Sequence, residues 1–343
     1  MNMRTNYNIA FCGDLSQNNG PANVNKNLTK YLKCTKIDTK SKNKVILFFK
    51  ILISLFKCKI FVFSSNYRTN YVIFIIATFF GKKTVYLMHG CSQLDAKINK
   101  VKNADRMIKM EKSLVKNVGL ILVVSETYMN LVKNIFSNDK KKFHFLTSGI
   151  DLNLKQITQE SSRINNIIAV CGGNRFIKCN NNVSLAIKKL NNKNQKKIYL
   201  NIYGLLYQNN ECIETSEYVK IKGRLKQEEL YKELRKTKLF ILNSKYESFG
   251  LSIIDALLCG CNILISNNCG IKDMLSLGEN DVINDYNDIE EIQKKIEYNL
   301  THDNNDRILR SIDYSKYSWQ SVSNRLEKII DLYFNGKDYK NVK

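Results

Sequence analysis

The sequence predicts an α/β protein of two Rossmann-like domains, each a doubly wound parallel sheet. Three observations lead there. Short apolar runs alternate with stretches of helical spacing along almost the whole chain, and strands that alternate with helices pair in parallel with helices on both faces. The alternation breaks once, after Ser148-Gly149-Ile150-Asp151 and a polar stretch at Gln156–Asn166, and then restarts. The chain has 343 residues, whereas single hydrophobic cores stop growing at about 250–300.

The first strand is Tyr7–Cys12, followed by the turn-rich Gly13–Gly20 and by Ala22–Leu32, where Val24, Leu28 and Leu32 share a helical face. Val45–Phe56 and Tyr71–Phe80 read as helices, Lys59–Ser64 and Thr84–Met88 as buried strands. A helix at Ala104–Lys116, a strand at Leu120–Val124, a helix at Glu126–Phe136 and a strand at Phe143–Leu146 complete a first domain, residues 1–160. The second domain, 161–310, opens with strand Ile167–Cys171, helix Val183–Leu190 and strand Lys197–Tyr203. Strand Val219–Ile221, helix Gln227–Lys236, strand Leu239–Leu242, helix Gly250–Leu258 and strand Asn262–Ser266 follow, then a helix at Ile289–Leu300. The last helix, Trp319–Phe334 within 311–343, is expected to return to the first domain. Two such domains facing each other leave a crevice at the carboxyl ends of their strands, where doubly wound sheets bind ligands.

Composition narrows the function classes. Residues 1–160 hold 26 Lys and Arg against 9 Asp and Glu, so they carry +17 of the net +23. A surface of this sign suits nucleic acid, anionic lipid headgroups or a diphosphate, or is a Lys-rich composition that aids solubility. No helix-turn-helix, RNA-recognition sheet signature or basic-aromatic interleaving accompanies it, so nucleic acid is not an expected partner. The start of the chain has no apolar core followed by a small-residue cleavage site, so it is expected to begin at Met1 and stay in the cytoplasm. The longest apolar run, Val45–Phe56, is interrupted by Lys50 and is too short to span a bilayer. Its flanking lysines, from Lys42 to Lys59, suit either a core helix with a basic edge or a helix lying on anionic lipid, which would make the protein peripheral at the inner membrane face. The ten cysteines are scattered without a C-x-x-C pair, which points to reduced thiols in the interior and to no zinc site.

The residues that carry chemistry cluster in the second half. Glu247-Ser-Phe249-Gly250-Leu251 opens a helix directly after a strand, and a helix start offers unpaired N–H groups and a positive dipole end to a diphosphate. Asp255, eight residues after Glu247, lies far enough into that helix for both carboxylates to line one ligand. A second loop, Cys171-Gly172-Gly173-Asn174-Arg175-Phe-Ile-Lys178, lets backbone approach a ligand and sets two cations three residues apart, as a leaving diphosphate requires; a solvated basic turn has the same pattern.

Glu247, Phe249, Gly250 and Asp255 resemble the E-x-F-G-x-x-x-x-E pattern of family 4 of the retaining glycosyltransferases, enzymes of the GT-B type, with Asp255 in place of the second Glu. The resemblance implies that Glu247 contacts the transferred sugar, that Phe249, Gly250 and Leu251 give backbone N–H groups to the phosphates, and that Asp255 holds the ribose hydroxyls. Arg175 and Lys178 resemble the cations of the family's loop, with Gly173 close to the donor. Gly20, before the only proline, matches the family's glycine-rich loop and equally serves helix initiation. His89 in Met88-His89-Gly90 matches a His that faces the transferred sugar, although a lone His is as readily structural. Ser148-Gly149-Ile150-Asp151 resembles an Asn-Gly-Ile-Asp turn near the domain junction, and Arg224 and Leu225 match a segment that meets the nucleotide base.

The resemblance implies transfer of a sugar from a UDP- or GDP-linked donor to a saccharide or lipid-linked acceptor bound by the first domain, as in cell-surface polysaccharide assembly. It implies no cofactor and no metal, and the chain has no convincing D-x-D motif. Two other readings stay open: a sugar-nucleotide epimerase of similar fold, for which only His89, His144 and His302 are available as histidines, and a basic nucleic-acid-binding protein.

Overall fold

The computed structural model describes residues 8–17, 19–101, 104–136, 142–150, 164–193, 195–208, 210–340 and 342. Tyr7, Asp151 and most of the Gln156–Asn166 stretch lie outside them. The chain forms two compact units. One takes in the described residues of Met1–Ala96, Lys102–Asp151 and Tyr314–Lys343, the other those of Lys97–Val101 and Leu152–Asp313.

The first unit is built from β1 (Ile9–Gly13), α1 (Gly20–Tyr31), β2 (Cys34–Asp38), α2 (Lys44–Lys57), β3 (Ile60–Ser64), α3 (Arg68–Phe79), β4 (Lys83–Met88), most of α4 (Ser92–Ile98), α5 (Asp105–Asn117), β5 (Leu120–Val123), α6 (Glu126–Ile135) and β6 (Phe143–Phe145). Its strands form one parallel sheet in the order β2-β1-β3-β4-β5-β6. Helices cover both faces of such a sheet, so β1, β3 and β5 are buried at every residue and read as unbroken apolar runs. The edge strand β2 has no counterpart in the sequence expectation. Only Ile37 of its five residues is buried, so it lacks the run that marks its neighbours.

The second unit holds β7 (Ile164–Cys171), α7 (Asn180–Lys193), β8 (Tyr199–Tyr203), β9 (Val219–Gly223), α8 (Gln227–Lys236), β10 (Thr237–Leu242), α9 (Leu251–Leu258), β11 (Asn262–Ser266), β12 (Val282–Ile283), α10 (Ile289–Thr301) and α11 (Asn305–Arg310). Its parallel sheet runs β12-β11-β10-β7-β8-β9. The core between this sheet, α7 and α10 is aliphatic, with Ile168, Val170, Ile187, Leu190, Ile292 and Ile296 almost without exposure.

Two of the helix starts that differ from expectation have clear local reasons. Helix α1 begins at Gly20, two residues early, because the Asn19 side chain accepts a hydrogen bond from the Ala22 amide (2.9 Å) and Pro21 fits the first turn. Helix α9 begins at Leu251, since Gly250 has φ +107°, a left-handed conformation outside the helix.

The chain ends with α12 (Tyr314–Tyr317) and α13 (Trp319–Phe334), and α13 packs on α1 within the first unit. Ser148-Gly149-Ile150 is fixed against this return: the Ile150 amide donates to the Tyr317 carbonyl (2.8 Å), and a Cβ on Gly149 would lie 2.4 Å from Cδ2 of Trp319. Glycine is thus required beneath the indole. We expect Gly149→Ala to cost about 2 kcal/mol through overpacking. Trp319 is the chain's single tryptophan, so its emission during denaturant unfolding reads that loss directly; an unchanged midpoint would contradict the packing.

Candidate active site

Each sheet reverses its direction of growth once, and ligands bind where this happens in doubly wound sheets. In the second sheet β8 and β9 extend from one side of β7, and β10 is added on the other. At this switch point β7 ends in Gly172-Gly173. Both glycine amides donate to the Tyr203 carbonyl (2.8 and 2.9 Å), and both residues have positive φ, +99° and +61°. A Cβ on Gly173 would fall 1.9 Å from the Leu205 carbonyl oxygen, so only glycine fits. The buried Asn180 side chain, at the start of α7, clamps the loop by donating to the carbonyls of Gly173 (2.7 Å) and Cys171 (3.2 Å).

The loop turns through Phe176–Lys178 and brings Lys178 back across Gly172, whose absent side chain leaves room for the lysine stem: a Cβ there would lie 2.7 Å from Lys178 Cγ. Laid over that glycine, the buried Lys178 donates its ammonium to a Glu247 carboxylate oxygen. Glu247 follows β10 and is pinned through its backbone to the loop after β11. Its amide donates to Asn268 O (3.1 Å) and its carbonyl accepts from Gly270 N (2.9 Å). Burial pushes the Glu247 carboxyl upward; the Lys178 charge and hydrogen bond, the Arg175 charge and the Phe249 amide outweigh it and hold the group below the usual carboxylate value. Phe249 itself is buried as core, so its contribution to the site is backbone.

Asp255 stands in the second turn of α9, half-buried, and accepts a hydrogen bond from the Tyr231 hydroxyl (2.9 Å). Burial raises its carboxyl to about 6 against a partial offset from that bond. Tyr231 lies on α8 and in turn accepts from the Gln227 side chain. Neither partner was expected from sequence, where both are ordinary positions of an amphipathic helix. Arg224, exposed, and Leu225, half-buried, follow β9 just ahead of α8. Gly223, with φ +73°, turns the chain there and accepts the Gly204 amide (2.8 Å). The structure thus brings Glu247, Lys178 and Arg175 together, and sets Asp255 at the α8 and α9 side of the same sheet end.

In the first sheet the switch lies between β1 and β3. Asn25 of α1 donates to the Asp14 carbonyl (3.1 Å) and accepts the Ser64 hydroxyl proton (2.6 Å); Ser64 Oγ is also 2.9 Å from His89 Nε2. Because the single hydroxyl proton goes to Asn25, Nε2 of His89 must be the donor to Ser64. That leaves Nδ1 with a lone pair. Burial lowers His89 to about 4, so the ring is neutral at physiological pH. The loop after His89 is held by Glu111 of α5, a buried carboxylate that accepts the amides of Ser92 (3.0 Å) and Gln93 (3.2 Å) and that sequence reasoning missed. Gly20 is the first residue of α1, and a Cβ there would meet nothing within 4 Å, so no steric need for glycine arises from the chain itself.

Residues 154–316, a little under half the chain, match the family model described as glycosyl transferases group 1. That segment is similar to the glycosyl transferases group 1 family. No curated protein matches the sequence. Solved structures resemble it over nearly its whole length. HepE of Anabaena, in complex with UDP and glucose, is 12% identical with a TM-score of 0.68, covering 94% of this chain and 99% of that one. Sucrose-phosphate synthase from Thermosynechococcus elongatus is 12% identical with a TM-score of 0.60, covering 96% and 100%. A glycosyltransferase from Rickettsia africae is 14% identical with a TM-score of 0.64, covering 96% and 98%. At such identities the likeness concerns architecture: the fold is GT-B. Glu247, Lys178 and Asp255 all lie inside the matched segment.

The His89 assignment predicts two observable properties. Its imidazole should titrate near pH 4 and carry its neutral proton on Nε2, both readable from nitrogen shifts in NMR spectra. Since the folded pKa is depressed from 6.5, its contribution to stability is complete above that value and declines as pH falls from 6.5 towards 4. Titration near 6.5, or a proton on Nδ1, would refute the hydrogen-bond chain.

Proposed function

We propose that the chain is a retaining glycosyltransferase of family 4 that moves a hexose from a nucleoside diphosphate to a saccharide or lipid-linked saccharide in the cytoplasm. The observation that carries this reading is the buried Lys178–Glu247 pair at the β7–β10 switch point, beside a left-handed glycine that opens α9. The pair supplies two opposite tasks within one short span. A carboxylate held ionised accepts hydrogen bonds from sugar hydroxyls, and an ammonium with Arg175 nearby neutralises charge that develops on a departing diphosphate. The first turn of α9 adds backbone N–H groups of the same polarity. HepE, a neighbour in fold, was crystallised with UDP and glucose, which supports a UDP-linked donor here.

In this reading no metal or cofactor takes part, and charge on the leaving group is met by side chains and backbone. Asp255 accepts the ribose hydroxyls, with Tyr231 fixing the orientation of the shorter carboxylate. Arg224 and Leu225 meet the base through their backbone. Neutral His89, with its free Nδ1 lone pair, is suited to accept a hydrogen bond from a sugar hydroxyl and not to carry positive charge. Retention follows if the leaving phosphate takes the acceptor proton on the face from which it departs, so no enzymic base is required.

The first test is nucleotide-dependent thermal stabilisation followed by transfer assays. UDP or GDP should raise the melting temperature and RNA should not. Glu247→Gln and Lys178→Ala should each lower kcat by about 100-fold or more, in protein whose unfolding transition remains cooperative. Transfer at the wild-type rate in either folded variant would end the assignment.

A second test uses pH. A ribose hydroxyl donates best to an ionised carboxylate, and Asp255 loses its charge below about 6. The KM for donor should therefore rise by up to about tenfold per pH unit below 6 while kcat changes less. Asp255→Asn should remove that dependence and weaken donor binding at all pH values.

A further inference from the structure

Helices α2 and α3 are inverted relative to the usual surface helix, which points its polar side at water. In α2 the residues turned to the sheet include Leu47, Ser54 and Leu55. The opposite stripe, Val45, Phe49, Leu52 and Phe56 at spacings of four, three and four, is apolar and exposed, with Phe56 80% accessible. Helix α3 repeats the arrangement. Asn70, Ile73, Phe74 and Ala77 face inward, while Val72, Ile75 and Phe79 face out behind Arg68 with the same spacing, and Phe79 is 85% accessible. Both helices connect strands that advance in the same direction across the sheet, β2 to β3 and β3 to β4. Right-handed crossovers therefore place them on one face, opposite α1.

Charge decides what covers this face. Between Asp38 and Asp95 the sequence has nine Lys or Arg and no Asp or Glu. Lys50 and Lys57, both exposed, border the apolar stripe of α2 on one flank, and Lys44 is exposed at its start. A second copy of the chain would set these cations against the same cations, with no acid in the segment to pair them. No helix of the described residues is long and apolar enough to cross a membrane. Two short helices with exposed aromatic and aliphatic stripes, α2 flanked by lysine and α3 opening on Arg68, fit a different geometry: they lie in the headgroup region, insert the apolar stripe and keep the cationic groups at phosphate level.

We infer that α2 and α3 together form a docking face for an anionic lipid bilayer. The sequence alone pointed only to Lys42–Lys59, with a core helix as the alternative. The structure excludes that alternative, since seven large apolar residues of α2 are exposed, and adds the parallel stripe of α3. The inference stands independently of the sugar-transfer reading, because binding needs no donor or acceptor.

The test is flotation of the full chain with vesicles of phosphatidylcholine alone or with about one-third phosphatidylglycerol, together with sedimentation velocity in the absence of lipid. The wild type should float with the anionic vesicles and bind them at least about tenfold more tightly than the neutral ones, and added salt should release it. The double variant Phe56→Glu and Phe79→Glu should stay in solution. Because both positions are exposed, its unfolding transition and its response to nucleotide should match the wild type. Lys50→Glu with Lys57→Glu should reduce anionic binding towards the neutral level. Equal retention on both vesicle types, or none on either, would overturn the inference. A dimer of the wild type that the Phe56→Glu and Phe79→Glu variant dissolves would do the same, because it would show that a second copy covers this face.

Discussion

An ammonium and a carboxylate taken out of water together lose several kcal/mol of hydration each, and the loss is recovered only when their geometry is fixed and their remaining valences are met. The Lys178–Glu247 pair imposes that condition on the ends of β7 and β10. Its consequences can be followed outward. Lys178 reaches Glu247 only because Gly172 has no side chain beneath the lysine stem. Gly172 and Gly173 hold their left-handed conformations because their amides are tied to Tyr203 and the flanking carbonyls of Cys171 and Gly173 to Asn180. Glu247 is fixed in turn by backbone bonds to the loop after β11.

The glycines are where strand ends approach one another. Gly173 sits against Gly204 and Leu205 of the loop after β8, and Gly204 donates to Gly223 at the end of β9. Three successive parallel strands therefore end in residues without a Cβ, and the backbone there stays open to whatever binds at the switch point. Gly250 completes the series. With its positive φ it ends the extended path from β10 and starts α9, which keeps Glu247 outside the helix and Asp255 within it.

What could be read beforehand followed the physics of each element. Strands buried on both faces, such as Ile60–Ser64 and Asn262–Ser266, carry their own signature as apolar runs. The edge strand Cys34–Asp38 does not, since only Ile37 of its five side chains is buried. Glu247, Lys178 and Asp255 were legible because strand, glycine and charge coincide in short windows. Tyr231 was not: its hydroxyl meets Asp255 across two helices, and on α8 it is simply one more inward-facing aromatic. The Asn25–Ser64–His89 chain was hidden for a related reason. It joins residues 39 and 25 positions apart, and only the adjacency of β1, β3 and β4 brings them together.

The two switch points solve opposite electrostatic problems with the same sheet topology. In the second unit, burial would drive Glu247 towards its neutral form, and a cation is installed to keep it charged. In the first unit, burial likewise disfavours the charged form of His89, and among the described residues no anion is brought up to restore it; the ring is instead oriented by a neutral chain through Ser64 and Asn25 to a backbone carbonyl. A charged site must be matched by a ligand that replaces its internal partner, and a neutral one by a ligand that completes a hydrogen bond. The same distinction explains why the net positive charge of the first 160 residues need not reside at the His89 site: its lysines are spread over surfaces such as the flanks of α2, where they remain hydrated and free to meet an anionic layer.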